Sequence, residues 1–190
     1  MSKGRLEAFS DGVLAIILTI MVLELKTPAD GTLSALRPLL PKFLSYILSF
    51  VFLGIYWNNH HHLWQAAKEV NGSILWANLH LLFWLSLIPF VTGWMGEHFS
   101  TVPVAMYGGV LWCSGIAYYI MVRAMLTHHG QDSILAAAIG NKQKEMTSLY
   151  IYTAAILLAF IAPWLATLLY VVVAAMWLIP DSRIETKLKR

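Results

Sequence analysis

Six apolar runs, each near the length of one bilayer crossing and joined by short connectors, constrain this chain more than any other feature. They span residues 6–26, 43–66, 74–95, 104–126, 147–162 and 164–180. A helix needs about 20 apolar residues to cross hydrocarbon, and in lipid every backbone polar group has to be satisfied within the span. Of the 190 residues, 58% are hydrophobic and 12% charged. A water-soluble domain carries about 25% charged residues, so a soluble globule is excluded. The expected fold is therefore all-α and integral to the membrane, a single domain over 1–190 with six transmembrane helices. The last two runs are split by Pro163 and read as a helical hairpin. Residues 127–146 read as a small amphipathic surface helix.

Basic residues orient the bundle. With the N-terminus cytoplasmic, Lys3, Arg5, Lys68, Arg123, Lys142, Lys144, Arg183, Lys187, Lys189 and Arg190 fall inside, ten in all, against three outside, Lys26, Arg37 and Lys42. Lys and Arg are retained on the cytoplasmic side, so both termini are expected there, in the cell membrane. The first run is not read as a cleaved signal, because Glu7 and Asp11 interrupt its approach and no small-x-small site follows. A net charge of +3 is too small to suggest nucleic-acid binding. Cys113 is the single cysteine, which excludes an internal disulfide and a thiolate zinc site within one chain.

Polar residues inside spans carry the functional signal, because they are costly in lipid and face protein or water. In the first run, Ile16, Thr19, Ile20 and Leu23 share one helical face, with Ser10 roughly on its continuation. Ordinary packing explains such a face. So does a ring of several copies around an axis, where branched aliphatics make a constriction that gates by dewetting and Thr19 adds a layer of hydroxyls. Arg5, Ser10 and Asp11 lie at the same depth as Trp57, Asn58, Asn59 and His60 to His62 of the second run and Trp76, Asn78 and His80 of the third. A buried inter-helix hydrogen-bond network requires that coincidence of depth. Adjacent histidines point about 100° apart on a helix, so His60, His61 and His62 do not converge on one metal, and no cofactor or metal is expected. Trp57, Trp64, Trp76, Trp94, Trp164 and Trp177 read as interfacial anchors. Pro89 is expected to kink the third span, with Ser86 or neighbouring helices satisfying the freed carbonyl. Hydrolase and phosphate-loop motifs and a TVGYG filter are absent from the sequence.

The motif R-x-x-x-F-S-D formed by Arg5, Phe9, Ser10 and Asp11, followed by GVLAIILTIMVLEL, resembles the signature of the transmembrane protein 175 family. YWNNHHHLW and WANLHLLFWLSLIPFVTGW are similar to the family's second and third helices. The resemblance implies a six-helix subunit with one repeat, of the type that assembles as a homotetramer. It also implies a potassium-preferring cation channel whose first helices line the pore. By position, Ile16 would be the main constriction, Ile20 and Leu23 further rings, and Thr19 the hydroxyl layer. Arg5, Ser10 and Asp11 would hold the first helix against the second and third, with His61 or His62 as the favoured histidine of the network. The competing readings are a secondary or proton-coupled transporter titrating Asp11, Glu24 and the histidines, and a membrane metalloenzyme built on His60 to His62, His128 and His129.

Overall fold

The computed structural model describes residues 2–130 and 142–178. Among these residues all regular secondary structure is helical. The helices are α1 Lys3–Leu23, α2 Leu40–Ala66, α3 Gly72–Ser86, α4 Ile88–Glu97, α5 Thr101–His129, α6 Lys142–Ala159 and α7 Pro163–Leu178, with a short 3-10 segment, Leu33–Leu39, leading into α2. Most of the expected surface helix at 127–146 and the whole basic C-terminal tail lie outside the described residues.

Local chemistry sets the breaks. The Asn71 side chain caps α3 by accepting from the Ile74 amide at 2.9 Å, satisfying one of the orphan donors of a helix start. Gly130, at φ 86°, ends α5 in a conformation that side chains disfavour. Pro89 separates α3 from α4 at Leu87. The Ser86 hydroxyl donates to Phe83 at 2.7 Å, two residues before the carbonyl that the proline frees. Pro163 starts α7 where its missing N–H costs nothing.

Four segments are long and apolar enough to cross a membrane: Lys3–Leu23, Leu33–Ala66, Gly72–Glu97 and Thr101–His129. Pro163–Leu178 is apolar but shorter. α6 begins with Lys142, Lys144 and Glu145, which lowers its hydropathy.

α1 packs on α2, α3 and α4, and α5 joins that group to the α6–α7 pair. Close approaches set the spacing. A Cβ on Gly108 would collide with the Tyr170 hydroxyl, which donates to the Val104 carbonyl at 3.1 Å. Gly108→Ala therefore forces α5 from α7 and breaks that bond. The expected loss is about 1–3 kcal/mol, read as a lower unfolding midpoint, and an unchanged midpoint would refute the tight contact. Ser49 bridges Thr92 at 2.6 Å and Tyr107 at 3.0 Å, tying α2, α4 and α5 with buried hydroxyls.

Candidate functional site

α1 has two unlike faces. Leu6, Ser10, Leu14, Ile17 and Met21 are buried against the bundle. Ile16 is 59% exposed, Ile20 43% and Leu23 81%, and Thr19 is exposed beside them. The stripe picked out in the sequence is thus the face that the rest of the chain leaves uncovered. Ser10 is not on that stripe. Six residues at 100° each place it about 120° from Ile16, and Phe9, 51% exposed, continues the stripe in its place. The Thr19 hydroxyl donates to the Ile16 carbonyl at 2.9 Å. That bond uses its one proton and leaves the oxygen lone pairs free to accept on the exposed side.

Beside the stripe runs a groove of about 810 Å³ between α1 and α4. Ile16, Ile20 and Glu24 line one wall and Pro89, Phe90 and Trp94 the other. Lys42 closes its end. The Lys42 ammonium, on a residue only 7% exposed, meets Glu97 at 2.9 Å, with Lys26 also 3.6 Å from the same carboxylate. A buried ammonium needs such a partner. The sequence reading missed this pair, because its residues lie 55 positions apart. A Cβ on Gly96 would come within 2.7 Å of the Lys42 backbone, so the glycine permits the approach.

The opposite face of α1 joins a buried polar chain. Ser10 donates to the Leu6 carbonyl at 2.9 Å and accepts from the Asn78 amide at 2.9 Å. Asn78 Oδ1 lies 2.8 Å from His60 Nε2, and the Trp64 indole N–H is 2.7 Å from that same nitrogen. One ring nitrogen carries at most one proton, so Nε2 either donates to Asn78 or accepts from Trp64. In either case one buried donor is left short, since His60 Nδ1 has no partner among the described residues.

Four sequence expectations, on the histidine of the chain, Trp64, Arg5 and His80, are corrected here. The histidine in the chain is His60, not His61 or His62. His61 instead meets Glu7 at 3.4 Å and Gln65 at 2.8 Å, and His62 Nδ1 is buried without a partner among the described residues. Trp64 is fully buried rather than an interfacial anchor. The Arg5 side chain is exposed and belongs to no hydrogen bond or ion pair among the described residues. Asp11, partly exposed, does tie α1 to α2 by accepting from the Trp57 indole at 3.1 Å. His80 is exposed and accepts from Trp84 on its own helix at 2.9 Å. A signal for His60 was present in the sequence, because Trp64 lies one helical turn further on, where an indole N–H reaches back.

The side chains named for the competing readings lie apart among the described residues. Among the described residues no three His, Cys, Asp or Glu side chains converge to hold a metal. His129 Nε2 accepts from the backbone amides of Lys68 and Glu69 at 3.1 and 3.2 Å, and His128 lies against Asn71. Both therefore fasten the α2–α3 connection to the end of α5. Asp11 lies near the middle of α1 and Glu24 caps its C-terminal end, about 20 Å further along the helix.

Comparisons with known proteins bear on the family and the fold. Residues 5–89 match the family model described as endosomal/lysosomal potassium channel TMEM175. A potassium channel of Chryseobacterium sp. (strain P1-3) is 57% identical over 190 residues, covering 100% of this chain and 99% of the relative. The endosomal/lysosomal proton channel TMEM175 of Mus musculus is 27% identical over 181 residues, 85% of this chain but 36% of that protein. The crystal structure of a lysosomal potassium-selective channel TMEM175 homolog from Chamaesiphon minutus superposes with a TM-score of 0.80 at 28% identity, covering 93% of this chain and 96% of that one. The chain belongs to the TMEM175 family, and is accordingly a multi-pass membrane protein of a channel family rather than an enzyme.

Proposed function

We propose that four copies of this chain assemble around a common axis, with α1 of each lining a potassium-selective pore in the cell membrane and both termini cytoplasmic. The observation that carries the reading is the two-faced α1. Leu6, Ser10, Leu14, Ile17 and Met21 are committed to the bundle, while Ile16, Thr19, Ile20 and Leu23 stand uncovered. Four such stripes form aliphatic rings one helical turn apart, with Ile16 the narrowest. A ring of branched aliphatics excludes water until it widens, and so gates by dewetting.

Thr19 supplies the chemistry next to that ring. Its proton is held by the Ile16 carbonyl, so four oxygens face the axis as acceptors. A partly dehydrated potassium ion loses less on giving up water than sodium does, and weak neutral oxygens compensate the smaller loss more completely. Ten of the thirteen basic residues fall on the N-terminal side, which supports the orientation. The groove beside Ile16 lies where a neighbouring copy would pack.

The test is flux from purified protein in liposomes under potassium, sodium or proton gradients. Potassium flux above protein-free vesicles, insensitive to any counter-ion gradient, is expected. Flux that requires a second gradient would replace the channel by a carrier. In the same vesicles Thr19→Ala lowers the potassium-to-sodium permeability ratio, and an unchanged bi-ionic reversal potential would remove Thr19 from the selective layer.

A further inference from the structure

The connection between α2 and α3, residues 67–71, is held by side chains from the start of α1 and the end of α5. Lys3 donates from Nζ to the Ala67 carbonyl at 2.8 Å. His129 Nε2 accepts from the Lys68 amide at 3.1 Å and the Glu69 amide at 3.2 Å. Asn71 Nδ2 stands 3.2 Å from His128 Nδ1. One short loop thus fastens the first turns of α1 and α3 to α5.

These bonds fix where the protons of both rings sit. A carbonyl only accepts, so His129 Nδ1, 3.0 Å from the Met125 carbonyl, carries the proton and Nε2 is bare. The Asn71 oxygen accepts from the Ile74 amide, so its nitrogen is the atom turned to His128, whose Nδ1 accepts. A second proton on either ring would set N–H against N–H. Three bonds to the connection would go, two of them at His129. Other groups at the junction pull toward the charged rings. Glu69 Oε2 is 3.9 Å from His128 Nε2, and the carbonyl end of α5 favours positive charge. Lys68 on the connection and Lys3 on α1 oppose it. His129 is half-buried, within reach of solvent protons. The two ring centroids are 5.1 Å apart, so a charge on both adds repulsion.

We propose that His129, assisted by His128, is an acid-released latch: neutral, it holds the α2–α3 connection and through it the starts of α1 and α3, and protonated, it lets go. The held ring has no free lone pair at Nε2, whereas the released ring takes a proton there. Acid therefore favours release, and the hold is complete above the range in which imidazole titrates. The latch works within one chain and is independent of the proposed pore.

The test is amide hydrogen exchange on the full-length protein in detergent micelles, with the chemical exchange rate at each pH divided out. Measurements at about pH 7.5 and about pH 5.5 lie on either side of the usual titration of histidine. In acid, the wild type is expected to lose about tenfold of its protection at Lys68 and Glu69, the change that one linked proton gives. Protection at Glu7 and Ala8 of α1 is expected to fall by about twofold or more. His129→Gln keeps an acceptor that does not titrate, and its protection should be equal at the two pH values. His128→Gln keeps the acid response at Lys68 and Glu69. If His129→Gln does not fold, His129→Phe, which accepts nothing, takes its place, with protection low and equal in both conditions. Equal wild-type protection at the two pH values overturns the proposal, as does a full acid response in the His129 variant. Loss of the response in His128→Gln would remove His129 as the latch, and an unmoved Glu7 and Ala8 would refute the hold on α1.

Discussion

Ile16→Asn is expected to raise unitary potassium conductance by roughly tenfold or more, with the potassium-to-sodium ratio falling toward that of free solution. Each 1.4 kcal/mol taken off the barrier at the narrowest ring multiplies the rate by about ten. In the proposed tetramer, four amides at the Ile16 level would wet a passage that four isoleucine side chains keep dry. Ile16 is more than half exposed in the single chain, so the substitution leaves the packing of that chain intact. Expression and oligomer size should match the wild type. Recordings from reconstituted protein decide the matter, and currents identical to wild type would move the constriction elsewhere on the helix.

Asn78→Leu has the opposite character, damaging the scaffold and not the conduction path. The side chain is fully buried and holds both Ser10 of α1 and His60 of α2. Leucine has similar volume but removes both hydrogen bonds, at a combined cost of about 2–3 kcal/mol. The unfolding midpoint should fall by about 5–10 °C, with loss of assembled protein on size exclusion after mild heating. Ser10→Ala, which strands only the Asn78 amide nitrogen, should cost about half as much. Equal midpoints for Asn78→Leu and wild type would show that the chain contributes no stability.

The helices and the division of α1 into two faces were legible because both follow from periodicity, and hydrophobic runs in lipid have few alternatives to helix. The break at Pro89 was legible for a similar reason, since proline removes a donor wherever it stands. The polar chain was legible in depth but not in membership. His60, His61 and His62 differ by 100° steps, and only the rotation of α2 about its own axis selects the one that faces Asn78. That rotation is fixed by Phe52, Leu53 and Trp64 packing against the rest of the bundle, which depends on tertiary arrangement. The placement of Ser10 failed for a geometric reason. Polarity grouped it with Thr19, whereas angular position set it against α3. Lys42 was read only as an outside charge, and nothing local to it announces Glu97.

The interruption at Leu87 has a mechanical consequence. α3 is fastened to α1 by Asn78 and α4 to α2 by the Glu97–Lys42 ion pair, so the two halves of one span answer to different neighbours. Leu87 is the joint between two levers. A change of angle there swings Phe90 and Trp94 toward or away from Ile16 and Ile20 while the grip of Asn78 on Ser10 stays unaltered, so the cleft can be resized without unfastening α1.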